Sequence, residues 1–131
     1  MTWKPTDKEI STLVAEISDK RYEYFIHKVV DQRQVWSLRD SGGWRVVEDN
    51  AKHECVPVWP HPRYAELYAT EEFQDSHPEA IPLDIFIERW LPGMEKDKRL
   101  VAVFPTPQNK GIVALPLELL NQLETEKEKY D

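Results

Sequence analysis

The side chains with the greatest chemical capacity here are four histidines, a single cysteine and a surplus of carboxylates, and their spacing decides what they can do together. His27, His53, His61 and His77 form no i, i+4 helical pair and no His-x-His pair, and Cys55 has no second cysteine beside it, so the spacings of a zinc site are missing. No metal or cofactor is expected. Cys55 opens the extended run Cys55-Val56-Pro57-Val58-Trp59, where a thiol packs as a small hydrophobe instead of standing as an accessible thiolate. Gly42, Gly43, Gly93 and Gly111 are too dispersed for a phosphate cradle, and there is no Gly-x-Ser-x-Gly elbow. Asp84 and Glu88 share a helix face at i, i+4, a spacing that serves acid–base chemistry only inside a cleft, and a solvated face is the expectation. The favoured reading is therefore not an enzyme. If the chain is one, His61, Arg63, Asp84 and Glu88 are the groups for acid, base or anion-holding roles.

One segment stands apart from this inventory. Trp59-Pro60-His61-Pro62-Arg63 marks a strand exit, where an indole, an imidazole and a guanidinium are able to line a pocket or a protein-binding patch. The same prolines also suit a rigid corner that only closes the core. With Trp44 from the preceding hairpin, the candidate partner-binding residues are Trp44, Trp59, His61 and Arg63.

Helices and strands must hold these residues in place. Thr6-Asp7-Lys8-Glu9 has the spacing of a capping box and predicts a helix start. Ile10, Leu13, Val14 and Ile17 then recur at helical spacing, as do Tyr22, Phe25, Ile26, Val29 and Val30, but the two stripes are out of phase, so one straight helix cannot bury both. A break is expected at Ser18, with Ser18 as the cap and Ile17 and Tyr22 as its hydrophobic staple. Residues 35–40 and 44–48 read as a hairpin turning on Gly42-Gly43, with Asp40 opposite Arg45, Leu38 opposite Val47 and Trp36 opposite Asp49. Residues 55–59 form a third strand, and Pro62 opens a short helix through Ala69. Residues 74–79 read as a polar loop. Leu83, Phe86, Ile87, Trp90, Leu91 and Met94 make an amphipathic helix that Pro92 should kink or restart. A second hairpin joins 100–104 to 112–115, and Pro116 opens a last helix that frays over 124–131.

The order α-α-β-β-β-α-α-β-β-α predicts an α+β fold, a mostly antiparallel sheet of about five strands covered by helices. Its 131 residues suit a single domain. The formal charge of −7 is concentrated between residues 63 and 95, where two basic side chains face eight acidic ones. Such a surface repels phosphate backbones and anionic bilayers and leaves a protein partner, particularly a basic one, as the compatible class. A lone cysteine, the lack of a signal-peptide core and the shortness of the apolar run Leu100 to Phe104 point to the cytoplasm.

Taken as a set, Tyr24-Phe25-Ile26, Val35-Trp36-Ser37-Leu38, Gly42-Gly43-Trp44, Val56 to His61, Ile81-Pro82-Leu83, Phe86 to Gly93 and Val101 to Pro107 resemble a family of small bacterial proteins catalogued as domain of unknown function 2750, over about Tyr22 to Leu123. Residues 81–115 also resemble, more weakly, part of the enhanced-serine-sensitivity (SseB) family, with its Pro-Leu helix and Val-Phe-Pro strand. Neither resemblance implies a reaction or a catalytic residue. They imply a bacterial origin and a compact α+β fold. The functional expectation is a non-enzymatic module that holds a protein partner on an acidic and aromatic face.

Overall fold

The computed structural model describes residues 3–69, 75–109 and 111–130. Helix α1 (Asp7–Ala15) begins where the Thr6 hydroxyl accepts from the Glu9 amide at 3.1 Å. The Glu9 carboxylate does not return to the cap; it accepts from the Tyr24 hydroxyl at 2.5 Å. Helix α2 (Ser18–Gln32) follows a break, as the two out-of-phase stripes require. Its start is corrected, however. Ile17 is the N-cap residue and is 62% exposed, so it makes no staple with Tyr22, and the Ser18 hydroxyl is drawn across the fold to Asn109 Oδ1 at 3.0 Å.

Strand β1 (Gln34–Asp40) turns into β2 (Gly43–Trp44) one residue earlier than predicted, with Arg39 opposite Trp44 and Asp40 opposite Gly43. The cause is local. Asp40 Oδ1 accepts from the Gly42 amide at 2.8 Å, an Asx turn that closes the loop on Ser41-Gly42. The expected Asp40–Arg45 ion pair still forms, at 2.8 Å on the diagonal. Residues 44–48 are not one strand: the chain leaves the first sheet after β2, and β3 (Val47–Glu48) pairs with β4 (Glu54–Val58), which sets Val47 opposite Cys55.

After α3 (Pro62–Tyr68), the stretch expected to be a polar loop contributes β5 (His77–Pro82), antiparallel to β1 along its length; Gln74 lies outside the described residues. Pro78 and Pro82 disguised it. They are tolerated because β5 is an edge strand, where a missing amide proton costs no ladder bond on the open side. The amphipathic stripe then runs through α4 (Leu83–Ile85), a π-helical turn (Phe86–Trp90) and α5 (Leu91–Lys96). In a regular helix the Pro92 ring would strike the carbonyl of Glu88, and the widened turn relieves that clash.

Strands β6 (Leu100–Val103) and β7 (Ile112–Ala114) form the second expected hairpin, and α6 (Pro116–Glu128) completes the chain. Along its last turns Lys127 lies 3.9 Å from Glu124 and Lys129 3.1 Å from Glu126. The fold is α+β, with a three-stranded sheet β2-β1-β5 and a four-stranded sheet β3-β4-β6-β7. The second sheet is mixed, because β4 and β6 run parallel, Cys55 to Val58 beside Leu100 to Val103. The two sheets meet at Trp36 and Trp59, whose backbones exchange hydrogen bonds of 2.9 and 2.8 Å, and at the Ser37 hydroxyl, which donates to the Pro57 carbonyl at 2.6 Å. Phe25, Leu38, Trp59, Phe86, Phe104 and Leu119, drawn from both sheets and three helical segments, share one solvent-free core.

Candidate functional site

The sequence-derived candidates do not assemble into one patch. Trp59 is wholly interior, at 0% exposure, with its indole Nε1 donating to the Pro105 carbonyl at 2.9 Å and its ring 5.4 Å from that of Tyr68. It forms no rim, because the bridge to Trp36 carries this end of β4 beneath the loop after β6. His61 is the N-cap of α3, its Nδ1 accepting from the Arg63 amide at 3.1 Å, and its ring lies edge-on to Trp3 at 5.2 Å. The Arg63 guanidinium reaches toward Asp7 of α1, at 3.8 Å. Trp44 belongs elsewhere: it meets Trp90 edge-on at 4.7 Å, and the Arg39 guanidinium lies 5.3 Å from its ring centre.

Other groups with chemical capacity are already engaged. His27, His53 and His77 each lie within 4 Å of a carboxylate, those of Glu126, Asp49 and Glu79, at 3.3, 3.0 and 3.9 Å. Cys55 is buried, with its Sγ 3.5 Å from the His53 carbonyl. Asp84 pairs with Lys127 at 3.7 Å across exposed surface. Glu9, Tyr24 and Tyr64 do meet, in a relay with 2.5 Å between Glu9 and Tyr24 and 3.1 Å between the two phenols. Burial and the Glu9 carboxylate drive the Tyr24 phenol far above its ordinary range, and burial pushes Tyr64 up to about 12, so both phenols remain protonated donors.

The imidazole of His61 gives the protein a pH response. Burial first, then the charges of Arg63 and Lys4, hold it below the ordinary value of 6.5, against weaker opposition from Glu9 and a hydrogen bond to the Trp3 backbone. The unfolded chain therefore takes up the proton first. This contribution to stability is complete above about pH 6.5 and is lost as the pH falls through the depressed value. Thermal unfolding from pH 7.5 to 5.5 should show a falling Tm. His61→Asn, whose side-chain oxygen also caps a helix, should flatten that slope; an unchanged slope would remove His61 as its source.

The groups that sequence reasoning missed gather around the start of α2. Arg21, in the first turns of α2, is 2% exposed, and no carboxylate among the described residues lies within ion-pair distance. Neutral oxygens hold it instead. Nε donates to the Phe104 carbonyl at 3.1 Å, one Nη1 proton goes to the Glu16 carbonyl, and Nη2 serves Ser18 Oγ at 3.3 Å and Asn109 Oδ1 at 2.9 Å. A guanidinium has five protons to give, so one on Nη1 is left over. Burial lowers its pKa, yet an arginine starts so high that it stays charged.

The loop after β6 is shaped around this cation. Phe104 adopts a left-handed backbone, φ 55°, although it is a fully buried aromatic residue, a conformation that costs about 1–2 kcal/mol. The turn it makes sends the next residues back toward α2. Thr106 and Asn109 then exchange backbone hydrogen bonds of 2.7 and 3.1 Å, and Asn109 Oδ1 also accepts from the Gly111 amide at 2.7 Å. Gly111 has φ 77°, and a Cβ there would lie 2.3 Å from the Val103 carbonyl oxygen, so the loop depends on glycine.

Between this loop, α1 and the end of α3 lies a groove of about 640 Å³, within the size range of ligand sites. Its apolar walls include Ile10, Val14 and Leu67; its polar lining includes Arg21, Thr106, Asn109 and the acidic Glu16. Thr106 is 5% exposed and its hydroxyl has no hydrogen-bond partner among the described residues, an uncommon state for a buried polar atom. Among the described residues, a cation without a carboxylate in ion-pair distance and a hydroxyl without a partner thus share one concavity, beside the left-handed turn at Phe104. That convergence distinguishes it from a smaller hollow of about 250 Å³ near Val30 and Leu83, where Asp84 and Lys127 already pair. One signal for Arg21 was present in the sequence: it lies four and eight residues before Phe25 and Val29, on the buried stripe of α2.

Fold and groove together define a small α+β protein with a buried cation beneath an apolar-walled trough. Over residues 22–123 the chain matches the family described as protein of unknown function (DUF2750), and it belongs to that family. Phe104, Thr106, Asn109 and Gly111 lie within the matched span, and Arg21 lies one residue before it. The comparison does not show the weaker likeness of residues 81–115 to the enhanced-serine-sensitivity family. No curated protein and no solved structure matches the chain. Among the described residues, no helix is long and apolar enough to cross a membrane.

Proposed function

We propose that this protein is a non-enzymatic binding module of the bacterial cytoplasm, regulatory in role, which seats a segment of a protein partner in the groove above Arg21. The observation that carries the reading is the buried guanidinium without a counter-charge, beside the partnerless hydroxyl of Thr106. A desolvated cation is costly unless something compensates it, and a bound anion would do so. Arg63 stands one helical turn before Leu67 on α3 and is offered as a flanking contact, with His61 at the same helix start. Trp44, half-buried beside Trp90, is offered as a separate contact position. An enzymatic role near residues 59–63 has less support, since Trp59 is interior and the His61 Nδ1 lone pair is occupied as a cap.

Leu67 is 41% exposed at the groove wall, so Leu67→Glu should leave the fold intact while placing a competing carboxylate beside the ligand seat. Capture of the partner from a bacterial lysate by tagged protein should be lost in this variant. It should survive in Leu117→Glu, an exposed apolar position outside the groove lining. With a net charge of −7, association with a basic partner should also slow as salt is raised. Capture that resists Leu67→Glu but fails with Leu117→Glu would move the interface to α6.

A further inference from the structure

We infer that the groove captures the C-terminal carboxylate of its partner, with an aliphatic last residue packed against Ile10, Val14 and Leu67. This rests on the binding-module reading and specifies its ligand. Glu16 also lines the groove, its Oε1 accepting from the Ile17 amide at 3.3 Å, whereas the polar groups around Arg21 with capacity left are donors. Arg21 retains one Nη1 proton after serving Phe104, Glu16, Ser18 and Asn109. Thr106 has an uncommitted hydroxyl. Asn109 spends its Oδ1 on three donors, the Ser18 hydroxyl, Arg21 Nη2 and the Gly111 amide; that fixes the amide orientation and leaves its NH2 group for a ligand. Three donors, one of them charged, call for an anionic acceptor with more than one oxygen.

The walls narrow the class further. Aliphatic side chains within reach of the cationic floor fit an anion that carries an aliphatic group on a neighbouring carbon, as a chain terminus ending in leucine, isoleucine or valine does. An internal aspartate or glutamate would have to bring backbone past the floor in both directions. A short-chain aliphatic acid shares the head-group chemistry but would leave much of about 640 Å³ unfilled. Net charge adds a condition: a surface at −7 repels free anions, so the carboxylate is best delivered by a chain that is otherwise basic.

The test is a titration of the full chain, followed by 15N-resolved amide resonances, with a short lysine- and alanine-containing peptide ending in leucine. The free acid should shift the resonances of Ile10, Thr106 and Asn109, and its C-terminal amide should bind about tenfold more weakly or worse. Thr106→Val, which removes a hydroxyl without a partner among the described residues, should keep the fold, weaken the free acid several-fold and leave the amide unchanged. Equal binding of acid and amide, equal binding of a peptide whose only carboxylate is an internal glutamate, saturation by butyrate at the same concentrations, or no shift with the free acid would each overturn the inference. If that happens while Leu67→Glu still abolishes partner capture, only the choice of ligand has failed. If Leu67→Glu has no effect on capture, the binding-module reading of the groove has failed with it.

Discussion

Trp59→Ala is expected to lower Tm by roughly 15 °C, from a loss of about 4 kcal/mol. The indole is the largest side chain with no solvent exposure, and truncating it leaves a hole between the two sheets that rigid strands cannot close. It also strands the Pro105 carbonyl, which accepts the indole proton at 2.9 Å within the loop that lines the groove. The two backbone bonds to Trp36 remain in any variant, so the sheets should stay joined and the loss should be one of packing and loop anchoring. Trp59→Phe separates these contributions. It keeps most of the ring volume and gives up the indole donor, and about 2 kcal/mol should be lost. Calorimetry in which Trp59→Ala shifts Tm by less than a few degrees would contradict an interior position.

Replacing Arg21 by methionine should cost about 2–3 kcal/mol, a smaller change in stability with a larger consequence for the groove. Two opposing effects set that figure. The buried Phe104 carbonyl and the part-buried Glu16 carbonyl lose their donor, at about 1–3 kcal/mol for a buried acceptor left unpaired, while the cost of holding a desolvated cation is recovered in part. Lost acceptor pairing wins, because methionine fills the channel but donates nothing. Arg21→Lys distinguishes geometry from charge. An ammonium is a compact, strongly hydrated point charge and cannot reproduce a planar fork spanning Phe104, Ser18 and Asn109, so lysine should recover less than half of the loss. Full recovery by lysine would mean that charge alone organises the loop. In both variants hydrogen exchange at residues 104–109 should rise more than in the sheets, since these residues are tied to α2 through Arg21 and Ser18.

Local chemistry was legible wherever a short stretch decides its own structure. Thr6 as a cap, two helices from two apolar phases, the glycine-containing turns, the interior position of Cys55 and the restart at Pro92 all follow from neighbours a few residues apart. The α+β class followed as well, because the order of elements limits the possible layers. Where an interaction spans the chain, the local pattern misled. Ser18 reads as a cap until Asn109, 91 residues away, takes its hydroxyl. Residues 74–79 read as a polar loop, yet β1 offers an edge along which His77 to Pro82 pair as a strand.

The candidate site shows the division most sharply. Its parts were visible as types: a basic residue on a core stripe, a Val-Phe-Pro strand end and a glycine closing a loop. That they form a site depends on the parallel pairing of β4 with β6, which brings residues 104–109 against the start of α2. By itself, then, the sequence determined the helices, the capped helix start and the α+β class, since periodicity and caps act over one or two turns. Only the tertiary structure decided that Arg21 is buried among neutral oxygens and that the Thr106 hydroxyl has no partner among the described residues. A guanidinium in water and one in a core are the same letter, and the difference lies in contacts made across the fold.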